Sequence, residues 1–223
     1  MRVIAVSVAL LMVAGVLVEA QRRHPVSGRV LAPVMGVAGA GWLERPERED
    51  EEAPSKAIVL LDLKPGMTVA DIGAGSGYYS SRMARRVGPT GHVYATDIQP
   101  GMIALLDRRI ASEGLANMTT VLGTPDDPKL PANSLDLAIM VDVYHELQDP
   151  QVFLQRLKPA FKPGGRLALL EFRKEDPKIP ILEVHKMSVA EVKQEMEAEG
   201  YEIDRVIEDL PWQHLILIRV KNK

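Results

Sequence analysis

Between Lys64 and Val220 short apolar runs alternate with amphipathic stretches, and the first run, VADI, gives way to GAGSG, with Gly73, Gly75 and Gly77 at every second position. A strand that ends in closely spaced glycines and leads into a helix leaves few folds open. Glycine tolerates backbone conformations that other residues avoid, and it lets a ligand come close to the chain. The alternation predicts strands at Met67–Ile72, His92–Ile98, Met118–Leu122, Leu135–Val143 and Arg166–Phe172. Helices are expected at Tyr79–Val87, Pro100–Glu113, Pro150–Phe161 and Ser188–Glu199, the last opened by a Ser188/Glu191 capping box. Strands separated by helices imply parallel pairing with helices packed on the sheet. The final runs, Tyr201–Glu208 and Gln213–Val220, are joined by the short DLPW turn and must pair antiparallel. The expected architecture is a doubly wound, mostly parallel seven-stranded α/β sheet, with helices on both faces and an antiparallel last strand.

With 223 residues, of which 46% are hydrophobic and 26% charged, the chain suits one such domain plus extensions. A formal net charge of −3 argues against a nucleic-acid partner, which usually calls for a basic surface. The absence of cysteine excludes disulfides, thiolate metal sites and a cysteine nucleophile. Val3–Val18 is uncharged and almost wholly apolar, and Val18-Glu19-Ala20 loosely fits a cleavage site. Residues 1–20 therefore read as an export signal, placing the protein in the periplasm or outside the cell. The alternative is an uncleaved membrane anchor through residues 3–18, although the run is short against the roughly 20 residues of a spanning helix. Arg22, Arg23 and Arg29 behind it would then hold the domain on the cytoplasmic side. Residues 21–63 read as linker, N-terminal arm and helix, and residues 64–223 as the globular domain. The acidic cluster Glu47–Glu52 is expected as solvated charge at a helix start.

A glycine turn between the first strand and first helix of an open α/β sheet lies where ligands bind. The dinucleotide fingerprint G-x-G-x-x-G would need glycine at position 78, which is Tyr78, and no lysine follows Gly77 as a phosphate loop requires. What stands here, Asp71-x-Gly73-x-Gly75-x-Gly77 after a strand, resembles motif I of class I S-adenosylmethionine-dependent methyltransferases. The resemblance extends over roughly Lys64 to Val220 and includes Asp97 in VYATDI, the strand LDLAIMVDV, the segment KPGGRLALLE and the closing hairpin. It implies a Rossmann-like fold and S-adenosyl-L-methionine as cofactor. On the resemblance, Asp97 and the adjacent Ile98 belong to the ribose end, Asp126 or Asp127 to the adenine amino group, and Asp142 to the end of the fourth strand. The arm MGVAGAGWLER (35–45) is placed as a lid, with Trp42 as an aromatic wall or a packing residue and Arg45 as an anchor for an acidic group.

The acceptor side falls at the carboxyl ends of the fourth and fifth strands. His145 in DVYHEL is the leading base, flanked by Tyr144 and Glu146. His185 and His214 are expected at the same rim by strand order, and Glu171 ends the fifth strand. No short-spaced ligand pair supports a metal site, so none is expected. These features predict a methyltransferase acting on a small molecule. A non-catalytic S-adenosylmethionine-binding sensor or partner module is the alternative, and an NAD-dependent oxidoreductase a more distant one.

Overall fold

The strand β1, Thr68–Ile72, is buried on both faces, with Val69 turned to one layer of core and Ala70 and Ile72 to the other. A strand without a polar face needs cover on both sides, and helices supply it. The computed structural model describes residues 22–221. The glycine run follows β1 and opens helix α3 (Tyr78–Val87), which leads to β2 (His92–Asp97). Helix α4 (Pro100–Glu113) then leads to β3 (Met118–Leu122), and β4 is Leu135–Val141. Helix α5 (Pro150–Leu157) precedes β5 (Phe161–Arg173). A two-residue strand β6 (Lys186–Met187) pairs parallel to β5 ahead of helix α6 (Val189–Ala198). The hairpin of β7 (Tyr201–Ile207) and β8 (Gln213–Val220) ends the sheet.

The strand order is β3-β2-β1-β4-β5-β8-β7, parallel through β5 and antiparallel where β8 joins β5. The doubly wound sheet is as expected, with β6 an eighth, short addition. Helices α3 and α4 pack on one face together with α2 (Pro54–Leu60), and α5 and α6 on the other. The order reverses between β1 and β4, so a crevice opens above their carboxyl ends.

Three local readings differ from the structure. The helix expected to Phe161 ends at Leu157, passes through a 3-10 turn at Lys158–Ala160, and β5 already begins at Phe161, where it pairs with Leu135. The acidic cluster forms a short helix α1 (Arg48–Glu52), but Glu52 is fully buried between Arg48 at 2.7 Å and Arg45 at 2.6 Å, not solvated. Residues 22–45 are no loose linker. His24 and Arg29 reach Glu195 of α6 at 3.2 and 2.8 Å, all three buried, and Arg29 also donates to the carbonyl of His145 at 3.0 Å. The segment assigned to an export signal or anchor lies outside the described residues. Among those described, no helix is long and apolar enough to cross a membrane.

Candidate active site

Each glycine of the run has a positive φ, +68° at Gly73, +56° at Gly75 and +84° at Gly77, the left-handed region that favours glycine. A Cβ on Gly73 would stand 2.6 Å from Val143, and one on Gly75 2.6 Å from Leu43 of the N-terminal arm. Arm and loop are thus in close contact. A 3-10 helix at Val37–Glu44 crosses the loop, and the Glu44 carboxylate accepts from Ser76 Oγ and from Arg109, both at 2.5 Å. Upstream, the Gln99 side chain donates to the Met35 carbonyl at 3.0 Å. Pro33, Val34, Met35, Trp42 and Leu43 of the arm line the cleft. Trp42 lines the cleft as a wall, whereas Arg45 stacks on Trp42 at 3.5 Å and pairs with Glu51 and Glu52, so it is not an anchor for a ligand.

Beneath the arm is a cleft of about 700 Å³, within the usual range for small-molecule sites. Gly73, Gly75, Asp97, Ile98 and Asp142 line it, as do Met102, Thr124 and Pro128. The Asp97 carboxylate ties the loops together, accepting from Gly75 N at 3.1 Å and Gln99 N at 2.9 Å. Burial raises its pKa against those hydrogen bonds. Asp142 sits at φ +53° with its backbone N–H bonded to Leu170 O at 2.8 Å. Its Oδ2 accepts from Gln213 at 2.8 Å, while Oδ1 has no partner. Burial, and then the charges of Glu52 and Glu171, push the Asp142 carboxyl well up, opposed by Arg48. Asp71 stands behind the loop, accepting from Ser80 Oγ at 2.6 Å, and burial pushes it up to about 7. It braces the first turn of α3, and Gly77 likewise lies behind the lining, against Leu106 and Arg109. Asp126 and Asp127 do not reach the cleft. Thr124 and Asp127 close a tight turn on each other, which directs Asp126 to Arg156 and Asp127 to Lys129. Thr124 faces the cleft in their place.

Another part of the lining is built around His145, which is buried, with Nδ1 2.6 Å from Glu171 Oε2. Glu171 is fully buried and its second oxygen accepts from Tyr144 N at 2.9 Å, so the ring is fixed from behind. His145 Nε2 lies 3.0 Å from Nδ1 of His185, the rings edge to face. Glu146 flanks them and accepts from Met35 N at 3.4 Å; burial first, against the nearby His145, pushes its carboxyl up to about 7. Burial and then His145 lower the pKa of His185. Phe153, Phe172 and the loop Pro180–Leu182 complete an apolar wall. Tyr144 points into the core beneath the Arg29 guanidinium, away from the acceptor space. His214 does not join the other two histidines. It lies one strand beyond β5, opposite Glu171, and its nitrogens are held by Glu208 and Glu175 at 2.9 Å. Pro33 and Val34 ahead of the predicted lid segment, the side chains of Met102, Thr124 and Pro128, and the Pro180–Leu182 loop carry no local sequence signal, because only the tertiary fold brings them together.

The doubly wound sheet and the glycine loop with Asp97 at the next strand end are the frame of a class I S-adenosylmethionine-dependent methyltransferase. A family model described as "Methyltransferase domain" matches residues 63–216, and the chain belongs to that family. A SAM-dependent methyltransferase from Aquifex aeolicus superposes with a TM-score of 0.78 at 30% identity, over 83% of this chain and 98% of that one. The ubiquinone/menaquinone biosynthesis C-methyltransferase UbiE of Burkholderia multivorans is 31% identical over 117 residues, 52% of this chain and 48% of the relative. The chain thus spans about half the length of the curated relatives it matches. The O-methyltransferase NcsB1 from neocarzinostatin biosynthesis, solved with S-adenosyl-L-homocysteine and 1,4-dihydroxy-2-naphthoic acid, shares the fold at 22% identity and a TM-score of 0.60, over 70% of this chain and 49% of that one.

Proposed function

We propose that the protein methylates a small, largely apolar acceptor whose nucleophilic atom is held at Nε2 of His145. The observation that carries this is the buried Glu171–His145 pair, aimed into the half of the cleft walled by Phe153, Phe172 and Ile181. S-adenosylmethionine supplies an activated methyl group, so the protein's task is alignment and activation of the acceptor. Glu171 fixes the tautomer and orientation of the imidazole, the apolar wall excludes water, and the lid of residues 33–44 covers both halves. A planar ring suits that lining, and the UbiE relatives are named for ubiquinone and menaquinone biosynthesis.

The electrostatics support a cationic cofactor over a dinucleotide. Asp71 and Asp97 flank the loop, and Asp142 beside it feels the charges of Glu52 and Glu171, with Arg48 as the opposing cation near both Asp71 and Asp142. A sulfonium with an ammonium relieves that field, whereas a pyrophosphate would add to it. The test is release of S-adenosylhomocysteine with a panel of phenol, thiol, amine and carbon-acid acceptors. Turnover on one class supports the reading, and cofactor binding without turnover on any class favours the non-catalytic module.

For residues 1–20 the sequence supports export or anchoring, and of the two an uncleaved anchor leaves the domain beside a cytoplasmic methyl donor. Protease protection in intact spheroplasts is the expected outcome, and digestion of the domain there contradicts it.

A further inference from the structure

The polar end of the acceptor half holds more than one base needs. His145, Glu146 and His185 each present a ligand atom, all within 4.8 Å of one another, beside the apolar wall of Phe153, Phe172 and Ile181. We propose that His145 Nε2, His185 Nδ1 and the Glu146 carboxylate form a binding site for a divalent zinc-type cation, onto which the acceptor's heteroatom coordinates. This rests on the reading of that end of the cleft as the acceptor's, and it sets the ion between His145 Nε2 and the acceptor atom in place of direct contact.

Three features argue for a metal centre over a lone imidazole base. The first is the donor set. Two imidazoles and one carboxylate are the ligands of an open catalytic zinc site, which leaves a fourth position for water or substrate. Hard cations such as magnesium prefer oxygen donors alone, so the two nitrogens select a borderline first-row ion. The second is spacing. The nitrogens stand 3.0 Å apart, and two ligands each about 2.0–2.1 Å from a tetrahedral zinc stand roughly 3.4 Å apart. A shift of a few tenths of an ångström, by the half-buried His185 on its 3-10 turn, converts a hydrogen bond between rings into a shared ion.

The third feature is the support behind the ligands. Glu171, fully buried, accepts from His145 Nδ1, so the lone pair of Nε2 is directed outward to the cleft. A carboxylate behind a histidine is the usual outer partner of a metal-bound imidazole, fixing its tautomer and raising its basicity. The remaining position of the ion would face Phe172 and the Pro180–Leu182 loop, where the acceptor lies. His185 is then a ligand contributed by the segment between β5 and α6, which gives this histidine a role the methyl-transfer reading leaves unassigned.

The test uses the full-length chain, stripped with chelator, and titrated with Zn²⁺ against a chromogenic competitor. Co²⁺ serves as the spectroscopic probe of coordination. One equivalent bound, with intense visible Co²⁺ absorption of a four-coordinate site, is the expected result. His185→Ala and Glu146→Gln should each weaken binding by more than tenfold, and Glu171→Gln by roughly 10–100-fold through His145. His92→Asn, at the opposite edge of the sheet, should leave it unchanged. His185→Ala changes a half-buried side chain, and its far-ultraviolet circular dichroism melt establishes that it folds. Absence of stoichiometric binding, or binding indifferent to His185→Ala, overturns the metal site while leaving methyl transfer standing. Binding that meets the expectation in a chain without turnover on any acceptor supports the site and separates it from the failure of the methyltransferase reading.

Discussion

A methyl group at Gly73 would meet Cγ2 of Val143 at 2.6 Å and its Cγ1 at 2.9 Å, on a backbone at φ +68°. Val143 is β-branched and stiff about χ1, so it has little room to yield. Gly73→Ala should therefore cost about 2–4 kcal/mol in stability and weaken S-adenosylmethionine binding more than tenfold, read by denaturant melts and calorimetric titration. Asp71 gives a test of a different kind. Its folded pKa of about 7 lies above the unfolded value near 3.8, so between these values the native state holds the extra proton. Its contribution to stability consequently falls as pH rises from about 4 to about 7 and is level beyond. Between pH 5 and pH 8 the wild-type apo protein should lose on the order of 2–3 kcal/mol more than Asp71→Asn. Parallel pH profiles of the two proteins would remove Asp71 as the cause. The glycine run is legible in its spacing, and Asp97 through the family resemblance, because both lie at strand ends set by local sequence. The directions of Asp126, Asp127 and His214 were not, since each is turned by partners distant in the chain or by a turn that closes on itself.

Among the elements, α4, β3 and β8 have the bounds that periodicity predicts, and the Ser188/Glu191 capping box forms at the start of α6. These are local signals, carried by residues within a turn or two of each other. The N-terminal arm shows the opposite case. Its order comes from Glu195, fully buried on α6, which receives Arg29 and Ser27 and faces His24. Nothing in the composition of residues 21–41 announces that partner. Removing Glu195 strands a buried guanidinium that also holds the carbonyls of Tyr144 and His145, beside the active histidine. Glu195→Ala should destabilise the protein by about 3–5 kcal/mol and speed tryptic cleavage within residues 22–29. An unchanged cleavage rate would mean that the arm is held by its other contacts. The start of the arm and His145 thus share one anchoring point, and loosening the first is expected to lower turnover before it lowers cofactor affinity.

At the scale of the whole molecule, the sheet brings the proposed cofactor and acceptor halves of the cleft together over the carboxyl ends of β1, β4 and β5. The first half is built by the glycine loop, Asp97 and Asp142, and the second by Glu171, His145, Glu146 and His185. Topology made the meeting of His145 and His185 predictable, because both follow strands of the parallel sheet. The N-terminal roof over them is a product of long-range contacts. The acidic surroundings of the loop predict that a thermal-shift comparison will show stabilisation by S-adenosylmethionine and none by NAD. One variant tests the division between the two halves most directly. His145→Ala should bind S-adenosylmethionine within about twofold of wild type while S-adenosylhomocysteine release falls by at least about a hundredfold on the best acceptor. Turnover by His145→Ala at the wild-type rate would contradict the assignment of the acceptor site.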